Sequence, residues 1–209
     1  MKVNAYIAFR LEELASYKKQ FESAFYFLED EELFFIPNGE KWSAIECIEH
    51  INNLNEVYLP QLTDVCKKNN ASQKDVLKLT WWQKRLRNMM SPLDHPKSKK
   101  MGTRAKLQPR RIQDPNLKIS AQKVMENFIA DLSQLEKIVR IIPESAELRN
   151  TRVMSAAPPI KFKSITALEM LLPHIGRHLD QAERIINYGE VERKAKLKNK
   201  DVIFPSLNS

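Results

Sequence analysis

Two of the four histidines in this chain, His174 and His178, lie four residues apart in a stretch with helical periodicity. That spacing puts both imidazoles on one face of a helix. A third, His50, follows Trp42-Ser43-Ala44-Ile45-Glu46-Cys47-Ile48-Glu49 in another long helical stretch. If those helices pack together, three imidazoles converge on one divalent ion. Imidazole suits zinc, nickel, iron and copper, and three protein ligands with one open position is the pattern of a catalytic site rather than a structural one. These residues suggest a chemistry without naming a substrate.

Positioning the histidines requires long helices, and the apolar pattern supplies four. The first is expected over 4–30, with Leu11, Leu14, Phe21, Phe25 and Leu28 on one stripe, followed by a turn at Asn38-Gly39. The second spans 44–69. Ser43 and Glu46 have the spacing of a capping box, Trp42 stands where it can staple back onto Cys47, and Pro60 should bend the helix. Its inward stripe is Cys47, His50, Ile51, Leu54, Tyr58, Leu62 and Val65. A shorter helix over 73–90 carries Trp81 and Trp82, and 91–118 reads as a long irregular connection with four prolines. The third long helix covers 119–142, with Val124, Phe128, Leu132, Leu135, Ile138 and Ile142 inward. After a connection over 144–163, the fourth covers 167–188. Thr166 and Glu169 form its capping box, and its stripe is Leu168, Leu171, Ile175, Leu179, Ala182 and Ile186. Four such helices predict an all-α four-helix bundle over residues 1–188, with a long connection between the second and third that contains a short extra helix, and a basic C-terminal tail over 189–209.

An i,i+4 histidine pair taken alone is equally well explained as a buried, hydrogen-bonded pair. Pro173 and Gly176 in the same turn tilt the reading toward a metal site. A mid-helix Pro costs about 3 kcal/mol and Gly about 1 kcal/mol against Ala, and such local conflict is expected at functional positions. The competing explanation is a kink that curves the helix around the core. Cys47, one turn before His50, is a candidate fourth ligand or reactive thiol, or else a small core residue. Gln181, three residues after His178, can orient an imidazole or a water. His95, between Asp94 and Pro96, reads as solvated.

The 209-residue length fits one core, and only four glycines occur, which disfavours turn-rich β architectures and glycine-rich phosphate loops. The net charge of +8 is unevenly placed. Segment 97–111 holds seven Lys or Arg and no acid, and segment 193–200 holds five and no acid; the other 22 basic residues are outnumbered by 26 acidic ones. The basic segment and the Trp81-Trp82 pair could contact phosphates and bases, yet no nucleic-acid motif is present, so nucleic acid is a disfavoured partner. No apolar run reaches membrane-spanning length, and the N-terminus leads straight into a charged amphipathic run, so cytoplasmic residence with no membrane association is the expectation. Cys47 and Cys66, roughly 28 Å apart on one helix, cannot bridge within it and read as free thiols.

The run Lys41 to His50, with its Trp42-Ser43, Glu46 and His50, resembles the start of the second helix in the DinB/YfiT-like superfamily. His174 and His178 with Gln181 resemble the HxxxHxxQ motif of its last helix, and the helix plan agrees over residues 4–188. The likeness is greatest to DinB_2-type proteins, whose connection before the third helix is also rich in Lys and Pro; Pro173 departs from the pattern. This resemblance implies an up-down-down-up four-helix bundle, a metal site held by His50, His174 and His178, and frequent homodimerisation. It also implies a divalent metal cofactor (zinc, nickel or iron) and, as in relatives that use bacillithiol or mycothiol, a low-molecular-weight thiol. The function expected from it is a metal-dependent enzyme, a thiol-dependent S-transferase or a hydrolase, acting on a small-molecule substrate. The alternative is a non-catalytic metal-binding or stress-related binding protein with a basic surface loop.

Overall fold

The computed structural model describes residues 1–68, 76–97, 102–114, 116–117 and 119–203, with side chains through Glu192. The protein is 70% helical. Four long helices form the bundle: α1 (Val3–Phe25), α3 (Ala44–Cys66), α6 (Ala121–Ile141) and α8 (Ser164–Ile203). Short helices lie between them: α2 (Asp30–Leu33), α4 (Trp81–Met90), α5 (Arg110–Gln113) and α7 (Ala146–Asn150). A two-stranded antiparallel hairpin, β1 (Arg152–Met154) with β2 (Lys161–Lys163), leads into α8. Helices α3 and α1 each pack on both α6 and α8, so α1 and α3 hold opposite corners of the bundle.

The predicted stripes form the core. Every inward residue named for α3 and α6 is buried, as are Leu168, Leu171, Ile175, Leu179 and Ala182 of α8. In α1 the buried positions are Val3, Tyr6, Arg10, Leu14, Phe21 and Phe25, with Leu11 and Leu28 only partly covered. Phe21 meets Phe128 at 4.8 Å between ring centroids, tying α1 to α6. Pro60 and Pro173 both lie inside unbroken helices.

The helix ends depart from the sequence expectation in instructive ways. Ser43 caps α3 as predicted: its hydroxyl accepts from the Glu46 N–H, and Glu46 returns the bond to the Ser43 N–H at 2.9 Å. Thr166 does not cap α8, which already begins at Ser164 where β2 ends. Its hydroxyl accepts from Gln83 Nε2 at 2.9 Å, which docks α4. Glu169 cannot fold back as a capping partner, because Oε1 accepts from Tyr6 Oη at 2.6 Å and from Arg10 Nη2 at 2.5 Å. That ion pair is buried on both sides and joins α1 to α8. The first long helix stops at Phe25 rather than near 30, and the last runs to Ile203 rather than 188. The helix expected over 73–90 begins at Trp81 behind a capping box at Thr80; residues 69–75 lie outside the described residues. Arg177 on α8 donates to the carbonyls of Met89 and Ser91, satisfying acceptors at the C-terminal end of α4. Gly39 has φ +87°, the left-handed conformation that the Asn38-Gly39 turn requires.

Candidate metal centre

Helix α3 presents His50 to α8, and α8 presents His174 and His178 back across the interface. The ring centroids are 5.0 Å apart for His50–His174, 4.5 Å for His50–His178 and 4.5 Å for His174–His178. One ring nitrogen from each can be chosen so that all lie within 4.8 Å of one another. Trp42, immediately before the α3 cap, lays its ring 5.0 Å from His50 and 6.1 Å from His178, and so forms an aromatic wall of the group.

Hydrogen bonds set the tautomers. His50 Nδ1 lies 2.6 Å from the Leu107 carbonyl, which can only accept, so the proton sits on Nδ1 and Nε2 keeps its lone pair. His178 Nδ1 lies 2.9 Å from Gln181 Oε1, with the same consequence. His174 Nδ1 is buried without a hydrogen-bond partner. All three imidazoles are held below their ordinary pKa, chiefly by burial and, for His174 and His178, also by their neighbours' charge; His174 and His178 are depressed most. Neutral rings with outward lone pairs and an orphaned buried nitrogen are what an imidazole-preferring divalent cation requires. The donor set therefore fits such an ion.

The connection predicted to be irregular supplies the back of this site. Leu107, in a 3-10 turn at Ala105–Leu107, is buried and brings its carbonyl to His50. Asn53 Nδ2 donates to the Gln108 carbonyl at 3.0 Å. The Arg110 N–H donates to Glu49 Oε2 at 3.1 Å, and the Arg111 guanidinium donates to both oxygens of Glu46, at 2.5 and 3.2 Å. Residues 107–111 thus strap onto the first three turns of α3. The segment 97–111 is not uniformly free: Arg110 and Arg111 pair with α3 carboxylates, although about half of each side chain remains exposed. Residues 98–101 of that segment lie outside the described residues.

Other candidates resolve differently. Cys47 is a fully buried free thiol, outside the histidine group, and burial pushes its pKa far up, so it is a core residue. His95 is half-buried and does not belong to the group, accepting from the Lys97 N–H at 3.2 Å. Tyr58, on the inward stripe of α3, turns to the hairpin connection, where its hydroxyl accepts from the Ala156 N–H at 3.2 Å. Trp81 and Trp82 remain about two-thirds exposed and meet edge to face on α4. Sequence reasoning missed the strap, the Leu107 carbonyl and the Arg10–Glu169 pair. The one available signal was that Glu46 and Glu49 share the buried first turns of α3, where carboxylates need partners.

Fold and site together define a helical bundle whose paired helices carry a three-histidine group able to hold a metal ion. The family model of the DinB superfamily (DinB_2) matches residues 18–182, and the chain belongs to that superfamily. Curated proteins and solved structures searched with this chain return no match.

Proposed function

We propose that this protein is a metal-dependent enzyme in which His50, His174 and His178 hold a divalent ion and a small thiol is the nucleophile delivered to an electrophilic small molecule. The observation that carries the reading is the set of three neutral imidazoles, two with Nδ1 tied to acceptors and one with a buried unpartnered nitrogen. A divalent ion bound there supplies Lewis acidity that lowers the pKa of a thiol or water beside it. The chain's own residues orient and desolvate. Leu107 and Gln181 fix two rings, Trp42 covers one side, and the strap clamps the start of α3.

Among the described residues no carboxylate joins the histidine group, and Glu46 and Glu49 are engaged by Arg111 and Arg110. Water activation gains from a positioned base, whereas a thiol, with its lower intrinsic pKa, needs less help. This favours thiol transfer over hydrolysis. Two free cysteines fit residence in a reducing compartment. No described helix is long and apolar enough to cross a membrane. The test offers metal-loaded protein a panel of electrophiles with bacillithiol, glutathione or cysteine, beside the His174→Ala variant. Turnover that needs both metal and thiol supports the reading. Turnover without thiol replaces it with a hydrolase, and no metal-dependent turnover in any arm replaces it with a binding protein.

A further inference from the structure

A second recess lies at the N-terminal end of α8. Between the 77–83 segment, α7 and the β2–α8 junction lies a recess of about 200 Å³, whose wall includes Lys78, Thr80, Arg149, Asn150 and Lys163. It contains three cations and no carboxylate. Ile165, in its wall, precedes His174 by nine residues of α8, roughly 13 Å of helix, so this is not the histidine site.

Arg149 is the informative residue. It is 8% exposed. Nε donates to the Ser145 carbonyl and Nη1 to the Val76 carbonyl, each at 3.2 Å, while Nη2 is buried with no hydrogen-bond partner. Carbonyls satisfy donors but carry no net charge. Among the described residues, no carboxylate lies within ion-pair distance of Arg149, Lys78 or Lys163. Buried charges are normally paired, because an uncompensated one is costly. Of the two other buried guanidiniums, Arg10 pairs with Glu169 and Glu13, and Arg177 places its donors on the carbonyls of Met89 and Ser91 at the end of α4. Tethering two loops explains two of Arg149's donors, but not why a buried guanidinium without an anionic partner stands beside two lysines around a recess that has no carboxylate in its wall.

We propose that this recess binds a phosphate-sized oxyanion, with Arg149 as its buried cation and Lys78 and Lys163 closing its rim. A planar guanidinium suits phosphate, which can accept several bonds at once, and flexible ammonium groups adapt around the remaining oxygens. The anion is either free phosphate or the phosphate group of a small ester.

The experiment uses the full chain after chelator treatment, at constant ionic strength and with chloride as the reference anion. Calorimetric titration and thermal unfolding are followed with inorganic phosphate, glycerol 3-phosphate and acetate. Phosphate should bind and raise the melting temperature, since a ligand of the native state alone stabilises it. Acetate should do so less. An ester that binds more tightly than inorganic phosphate marks the ligand as a phosphate ester, and the reverse order marks free phosphate. Lys78→Met and Lys163→Met should each weaken phosphate by about two- to fivefold without changing the melting temperature in chloride. Arg149→Met should weaken it by at least about tenfold; because this variant also loses two loop tethers, the two lysine variants carry the test if it does not fold. His174→Ala should bind phosphate as wild type does. Identical melting curves in phosphate and chloride would overturn the proposal. So would undiminished phosphate affinity in the Lys78→Met/Lys163→Met double variant, or loss of phosphate binding in His174→Ala.

Discussion

Replacing Gln181 with Met tests whether the histidine group is built for a metal or merely packed. The two side chains have similar volume, so the change removes one acceptor with little repacking. In the wild type, Gln181 Oε1 sits 2.9 Å from His178 Nδ1 and holds the tautomer whose Nε2 lone pair is free. Without it, Nδ1 and Nε2 compete for the single proton, and the ring loses a rotational anchor. Partners of this kind are typically worth 10- to 100-fold in metal affinity. Both His178 and Gln181 are only half-buried, so water can replace part of the lost bond. The expected loss is therefore at the lower end, about tenfold, or about 1.4 kcal/mol. The measurement is competition against a chromophoric chelator at fixed pH, with far-UV circular dichroism to show that the helices are intact. Wild-type affinity in a folded Gln181→Met protein would mean that the 2.9 Å contact orients nothing, and the argument from fixed tautomers would fail.

Three further outcomes are expected. His50→Ala or His174→Ala should abolish stoichiometric metal binding, measured by elemental analysis of untagged protein, whereas His95→Ala should not; equal metal in wild type and the triple alanine variant of His50, His174 and His178 would remove the site. Arg111→Met, which frees Glu46 and loosens the strap that brings Leu107 to His50, should weaken metal by up to about fivefold and speed amide exchange over residues 105–113; unchanged exchange would show that the strap is held by Leu107 burial alone. Burial raises the Asp131 carboxyl to about 6, above the unfolded value, so the native state binds the extra proton and this residue's contribution falls as pH rises from about 4 to 6. Asp131→Asn, which retains an oxygen to accept from Asn55, should therefore be more stable than wild type above pH 6 by denaturant unfolding, with the difference vanishing towards pH 4; a constant difference across that range would contradict the assigned titration.

How much of this was legible from residues alone depends on how locally each feature is decided. The stripes on α3 and α6 were readable because burial at a 3.6-residue period repeats over six turns. The Ser43 cap was readable because both reciprocal bonds close within four residues. The same pattern misled at Thr166: Glu169 had a stronger use for its carboxylate with Arg10 and Tyr6, 159 and 163 residues away in sequence. The pairing of His174 with His178 followed from helix geometry, and the addition of His50 followed from its place on the inward stripe of the second helix, with the motif resemblance beside it.

The sequence by itself thus determined the helices, their inward faces and which imidazoles were available, since each depends on the repeat of a single helix. Only the tertiary structure decided that His50 meets the other two at 5.0 and 4.5 Å, that a backbone carbonyl at Leu107 sets its tautomer, and that Cys47 is sealed in the core. A carbonyl has no side-chain identity to read, and a contact between residues 57 positions apart is fixed by how the connection folds back over α3. The arginines of that connection looked like a solvated charge run until the fold brought two of them to Glu46 and Glu49, because charge patterning reports which groups exist and packing alone reports which of them meet.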